Sequence, residues 1–368
     1  MQALPALVDL HSEEEREKLL HMAQRLDSST SALSDLQFVF AVSFYAEKSG
    51  DLSIFLEIPP NRESDIRQLC MNIIARLPFG PHDVSLTEEG DESVWLTMFL
   101  CETIRRFVSF CTQEDAQRLL QRRAEILHAV ERHAWDGEWY LRGWNERGEA
   151  LGSKQSEGGC PDLPAQCWGV MCGASRDRCA LAMEHVWNML YDRKTGLVRL
   201  PDFHSDECEV HRTVAACWTV AALHQLGEDE RAWEMALRMS PAFRSASRQL
   251  AARFRAEPYM IPSQIFTQPR LRGRADGMWH DGSAAWFFTV LFHQLLGFRK
   301  HGETLRFCPT APEKWESLRI TFRYGRSTYH LHASRQCAVP SADGETLPGD
   351  VLQLKDDGRI HEAFFPLR

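Results

Sequence analysis

From Ser93 to Phe110 the chain reads SVWLTMFLCETIRRFVSF, and Val94, Trp95, Leu96, Met98, Phe99, Leu100, Ile104 and Phe107 leave it apolar on nearly every side. A helix without a polar face is one buried between neighbours. The next segment, Thr112 to His133, is amphipathic and opens on Thr112-x-x-Asp115, a capping pattern. The same alternation runs outward both ways. Upstream, Ser12 with Glu15 forms a capping box before Leu19, Leu20, Ala23 and Leu26 at helical spacing. Helices are predicted over 35–48, closed by Ser49-Gly50, and over 64–77, before the Pro78/Gly80/Pro81 break. Downstream, Val214 to Leu226 is nearly all apolar and stops at Gly227, 228–239 is mixed, and Ala284 to Leu296 is apolar again and stops at Gly297. Apolar inner helices alternating with amphipathic outer ones predict a toroid of helical hairpins rather than a simple bundle.

After residue 300 the periodicity changes. Leu305-Arg306-Phe307, Leu318 to Phe322 and Tyr329 to His332 alternate with period two, and Gly325 sits where a hairpin turn is needed. Val351 to Leu354, Asp356-Asp357-Gly358 and Ile360 to Phe365 predict a further hairpin around an Asp-Gly turn. The expected division is therefore a mainly α region over 1–300, followed by a small antiparallel sheet over 301–368.

The 368 residues are 44% hydrophobic and 25% charged, enough to bury a sizeable core, which excludes a disordered or fibrous chain. A net charge of −9 disfavours nucleic acid and anionic membrane as partners. No apolar run approaches the roughly 18 residues a span requires. The eleven Cys are scattered with no C-x-x-C, so reduced, buried thiols in a cytoplasmic protein are expected.

The loops between helices are rich in Trp, Asp, Glu and Gly: Ala134 to Tyr140, Leu151 to Lys154 and Trp279 to Ser283. Aromatic faces beside carboxylates suit sugars, whose apolar ring face stacks while the hydroxyls take charged hydrogen bonds. The competing reading makes these Trp loop anchors that fill the core. His204-x3-Cys208-x2-His211, with Asp206 and Glu209, has metal-ligand residue types but no strong spacing signature, so no metal is expected. No G-x-S-x-G, G-x-G-x-x-G or G-x-x-x-x-G-K-[ST] occurs, which leaves nucleotide cofactors and elbow-type serine hydrolysis without support.

Residues 134–152 (AWDGEWYLRGWNERGEALG) resemble the corresponding stretch of glycoside hydrolase family 94, the inverting phosphorylases of cellobiose, chitobiose and related β-linked glucosides, with cyclic β-glucan synthase domains. The resemblance continues in order through Asp162 to Trp168 (DLPAQCW), Thr213 to Leu223 (TVAACWTVAAL), Asp281 to Trp286 (DGSAAW) and Phe322 to Gly325. Upstream it takes in Asp91 to Trp95, and in all it covers roughly residues 30–366. It implies a six-hairpin α/α barrel followed by a small sheet, here a partial toroid whose early helices, bearing the family's donor-binding Arg and Asp, are not expected in this chain.

Inverting hydrolysis needs two carboxyl groups, whereas phosphorolysis needs only the acid, because phosphate is the nucleophile and a cradle of donors holds it. In the family the acid is the last Asp of an Asp-Trp-Asn-Asp-Gly run shortly before Glu-Ser-Val-Trp. Here Glu92 to Trp95 is preceded by Phe79 to Asp91 (FGPHDVSLTEEGD), which lacks that run. Glu88, Glu89 and Asp91 are the candidate replacements, and such a carboxyl must be placed to within about 0.5 Å.

The resemblance further assigns the phosphate region to Arg270, Arg272, Asp281, Gly282 and Ser283, with Asp281 where the family has Thr. An ionised Asp there would repel a phosphate oxygen by about 4 kcal/mol at about 4 Å and an effective dielectric of about 20. One alternative makes Asp281, beside His280, a general base on water. Glu207 falls where the family contacts the acceptor sugar, and Arg212, Trp279 and His280 complete the expected binding set.

The resemblance therefore implies a protein for phosphorolysis or glycosyl transfer on β-linked gluco-oligosaccharides. Its partners would be an oligosaccharide or glucose-1-phosphate, with inorganic phosphate as co-substrate and no cofactor. The altered acid loop implies weak or no turnover by the chain alone. The alternatives are a non-catalytic sugar- or partner-binding remnant, or one half of a split enzyme completed by a second copy or another chain.

Overall fold

The computed structural model describes residues 12–26, 30–156, 159–200, 210–278 and 282–368. Helix α1 (Ser12–Arg25) buries Leu19 and Ala23 completely. Helix α2 (Ala32–Ser49) is capped by Ser31, whose hydroxyl accepts the Ser34 N–H, and ends at Gly50 in left-handed backbone. Helix α3 (Ile66–Arg76) starts on the Asp65 carboxylate, which accepts the Gln68 N–H. Helix α4 (Val94–Phe107) is the apolar segment, prolonged by a 3-10 turn over Val108–Phe110. In α5 (Gln113–His133) the predicted cap forms, with the Thr112 hydroxyl accepting the Asp115 N–H. Then come α6 (Leu163–Cys172), α7 (Arg176–Leu190), α8 (Thr213–Leu226), α9 (Asp229–Met239), α10 (Pro241–Arg244), α11 (Arg248–Phe254) and α12 (Ser283–Phe288).

Helices α2, α4, α6, α8 and α12 pack in series, each against the next, while α1, α3, α5, α7 and α9 lie against this row. The division follows the sequence pattern. In α8 nearly every residue from Thr213 to Leu223 is buried, whereas α5 buries only the Leu119, Ile126, Ala129 and Val130 stripe. The apolar run over 284–296 departs from expectation: α12 is short and continues as a π-helix over Thr289–Leu295. At the junction the Thr289 hydroxyl turns back onto the Ala285 carbonyl at 2.8 Å. Among the described residues no helix is long and apolar enough to cross a membrane.

Small sheets pin the loops. Strands β1 (Glu92–Ser93), β2 (Gly143–Trp144) and β3 (Ala150–Leu151) form one, and β4 (Tyr191–Asp192) pairs with β5 (Leu197–Val198). Strands β6 (Val210–Arg212), β7 (Pro262–Phe266) and β8 (Ala275–Met278) form another. Beyond the helices, β9 (Phe298–His301), β10 (Thr304–Phe307) and β15 (Val351–Gln353) make a three-stranded sheet in the order β15-β10-β9. A five-stranded sheet in the order β11-β12-β16-β13-β14 follows, from β11 (Ser317–Tyr324), β12 (Ser327–Ser334), β13 (Ser341–Ala342), β14 (Glu345–Thr346) and β16 (Ile360–Pro366).

The hairpin expected over 351–365 is corrected here. Strand β15 pairs with β10, and β16 runs parallel to β12, so the region holds two sheets and one parallel pair. The cause is local. Asp356 accepts the Arg326 N–H at 2.7 Å, and Asp357 exchanges hydrogen bonds with Ser327 at 2.9 and 3.1 Å. The Asp-Asp-Gly segment thus caps the β11–β12 turn instead of reversing on itself. A second core of Leu305, Phe307, Tyr329, Leu331 and Phe365 lies between the sheets. It joins the helices through Trp315, whose ring lies 5.3 Å from that of Trp233 in α9.

Candidate functional site

The loops that enter the inner helices pair in two sheets, β1 before α4 with β2 and β3 before α6, and β6 before α8 with β7 and β8 before α12. The one before α4 is a hairpin, held by Phe79–Ser85 and Leu86–Glu92 bridges. Its turn is closed by Thr87 N–H to the Asp91 carbonyl at 2.8 Å and Gly90 N–H to the Thr87 carbonyl at 3.2 Å. Glu88 and Glu89 occupy the turn with exposed side chains, and Asp91 is half-buried.

Glu92 behaves differently. It is 5% exposed, accepts the His82 backbone N–H at 2.9 Å, and lies 2.5 Å from His82 Nδ1. The His82 ring stacks on Trp144 with centroids 4.1 Å apart, which fixes its plane. A Cβ at Gly80 would come within 2.5 Å of the Glu92 carboxylate, so the loop closes tightly over the acid. The one buried carboxylate of this loop is therefore held by a histidine.

The loop before α6 anchors itself through the residues that looked sugar-binding. Trp139 is 3% exposed and donates its indole N–H to the Gly152 carbonyl at 2.8 Å. Asp136 accepts from the Ser153 hydroxyl and the Lys154 N–H at 3.0 and 2.6 Å, and Trp135 lies edge-on to Tyr140 under Arg178. Gln166 ties this loop to α6, accepting the Tyr140 N–H and donating to the Tyr140 and Asp162 carbonyls. For Trp135, Trp139 and Trp144 the anchoring reading is the one that the contacts display.

Asp162 is a carboxyl that the residue-type reading did not single out. It is buried at the cap of α6 and accepts the Ala165 N–H at 3.0 Å. Burial raises its pKa, against the opposing pull of that hydrogen bond and of Arg142. Only its place at the head of DLPAQCW hinted at it.

On the other side Arg212 is exposed at the start of α8, and Arg270 is exposed. Arg272 donates Nε to the Thr267 carbonyl at 3.1 Å, while Gly282 and Ser283 are buried at the start of α12. Glu207, Trp279, His280 and Asp281 lie outside the described residues, as do His204, Asp206, Cys208 and Glu209. The remaining member of the metal-type set, His211, is fully buried between the Thr195 hydroxyl at 2.6 Å and the Val198 carbonyl. Hydrogen bonding to His211 holds the Asp192 carboxyl far below its ordinary range, although burial opposes this. Among the described residues no group of three or more His, Cys, Asp or Glu has metal-holding geometry.

Between the helices lies an aromatic cluster that loop motifs did not reveal. Trp95, Trp168, Trp218 and Trp286, one from each of α4, α6, α8 and α12, have ring centroids 5.6–6.4 Å apart. The indole N–H groups of Trp95, Trp168 and Trp218 are buried without a partner among the described residues. The signal was the all-round apolar character of these helices, which fixes burial but not which aromatic faces which.

The catalytic-domain model of the glycosyl hydrolase 94 superfamily matches residues 24–297. Cyclic beta-(1,2)-glucan synthase NdvB of Rhizobium meliloti (strain 1021) is 30% identical over 70% of this chain and 10% of its own length. Solabiose phosphorylase of Paenibacillus borealis is 26% identical over 87% of this chain and 47% of its own. N,N'-diacetylchitobiose phosphorylase of Vibrio furnissii is 23% identical over 78% and 40%. The chain thus spans less than half the length of these relatives. Among solved structures, a GH78 rhamnosidase of Bacillus sp. GL1 matches 93% of this chain and 35% of its own with a TM-score of 0.58 at 12% identity, a likeness of fold.

Proposed function

The chain belongs to the glycosyl hydrolase 94 superfamily, and from that premise we propose that it is a carbohydrate-active protein which binds β-linked gluco-oligosaccharides and glucose-1-phosphate but turns them over weakly or not at all by itself. The relatives named as a glucan synthase and as phosphorylases of solabiose and diacetylchitobiose support the substrate class. In this reading the helical hairpins are part of a six-hairpin toroid, with the substrate at the N-terminal ends of the inner helices. The carrying observation is internal to the chain. In the loop before α4, Asp83, Glu88 and Glu89 are exposed, Asp91 is half-buried at the turn, and the buried Glu92 is held by His82, which supports the reading that this loop aims no acid. Arg212, Arg270, Arg272, Gly282 and Ser283, with Glu207, Trp279, His280 and Asp281, remain the proposed binding set. Calorimetric titration with glucose-1-phosphate and cellobiose tests it: saturable heat that is lost in Glu207→Ala is expected, and no heat with either sugar would overturn the reading.

A further inference from the structure

At the opposite end of the helical row, the C-terminal ends of α2, α4, α6, α8 and the π-helical stretch enclose a cavity of about 900 Å³, within the size of small-molecule sites. We propose that this cavity is a second ligand site, lined by residues other than the loop residues described above, and that it takes a phosphorylated sugar. Its wall includes the aromatic side chains of Phe40, Phe44, Trp168 and Trp286, which give it an apolar part beside its charged groups. Five Lys and Arg side chains face two carboxylates, Glu47 and Glu102, in a chain whose overall balance is −9.

These cations are positioned. Arg105 spans Glu102 at 2.6 and 2.7 Å, and Arg106 bridges Glu102 and Glu47 at 2.8 Å each while lying over Phe40. Arg123 donates to the Cys101 carbonyl within α4 and to the Cys172 carbonyl at the end of α6, and Arg299 donates Nε to the His293 carbonyl near the end of the π-helical stretch at 3.0 Å. Among the described residues, Nη1 of Arg105, Nη1 of Arg123 and both Nη groups of Arg299 have no acceptor within the protein. Guanidinium N–H groups of this kind bind phosphate oxygens in pairs. Two further features point the same way. Trp168, 2% exposed, lines the cavity and carries an indole N–H without a partner among the described residues. The π-helical stretch, a rare geometry enriched at functional sites, supplies Thr289, His293 and Gln294 to the wall.

The test uses the full chain and glucose-6-phosphate, because the family-type reaction takes the 1-phosphate. Calorimetry is expected to show saturable binding, weakened about tenfold by Arg105→Gln and about tenfold by Arg299→Gln, the cost of one charged hydrogen bond each. Arg359→Gln, an exposed arginine of the sheet, should leave it unchanged. In the unmodified chain the Trp168 indole N–H resonance should shift on binding, a readout independent of whether a variant folds. No binding, an unshifted Trp168 signal, or affinity insensitive to both substitutions would overturn the site. Equal affinity for inorganic phosphate would overturn the sugar assignment.

Discussion

Gly143 shows how closely single residues are fitted around the hairpin before α4. A Cβ there would lie 1.7 Å from the Glu92 carbonyl oxygen, because β1 and β2 pair at that point with Gly143 opposite Ser93. Gly143→Ala is therefore expected to cost about 2–4 kcal/mol through overpacking against backbone that cannot yield. Gly148→Ala, with open space around a left-handed backbone, should cost about 1 kcal/mol. Urea midpoints of the two variants check the difference, and equal losses would refute the packing argument. At this scale the sequence was legible in its residue types and silent on their aim. Asp136, Trp139 and Lys154 have the chemistry of a sugar site, yet they spend their hydrogen bonds on loop closure. Glu92 was read only as part of a family motif, since its histidine lies ten residues away in a loop with no periodic signature.

Among the elements, the helices were legible because capping and apolar period are local. Ser31, Asp65 and Thr112 each cap the helix that follows them. The tail was misread for the opposite reason. An Asp-Gly turn signals a hairpin only if the flanking strands have no better partner, and here β12 and β10 are available to β16 and β15. The five-stranded sheet also carries a pH dependence. His361 sits between Asp343 and Asp357, and although burial acts to lower its pKa, the two carboxylates raise it. Asp357 is lowered to about 2, first by the Arg359 N–H and then by His361. Asp343 falls despite burial, through His361 and the Glu362 N–H, with Lys355 adding to the pull. The Glu362 carboxyl is lowered by hydrogen bonds from His332 and His330. A raised histidine contributes stability below about pH 6.5 that is lost as pH rises through its folded value. Lowered carboxylates contribute above about pH 4 and lose it as pH falls. The sheet should therefore be most stable at about pH 4.5–6.5. His361→Asn should flatten the alkaline fall of the unfolding midpoint, followed through Trp315 fluorescence, and an unchanged slope would remove His361 from the account.

For the whole molecule, two ends of one helical row carry different chemistry. The loops proposed to hold substrate enter at the N-terminal ends, and residues toward the C-terminal ends line the charged cavity. The alternation of apolar and amphipathic helices made the row itself readable. The cavity was not, because it is assembled from five helix ends whose residues, Glu47, Arg105, Cys172, Gln225 and His293 among them, are far apart in the chain. The proposed lack of turnover depends on one point, that the hairpin preceding α4 supplies no aimed acid. Phosphate release from glucose-1-phosphate with glucose, cellobiose or sophorose as acceptor, catalysed by the chain alone, measures that feature most directly. The account predicts no release, or at most weak release that persists when Glu88 and Glu89 are replaced by Gln. Sustained release that disappears when Glu88 and Glu89 are replaced by Gln would contradict it.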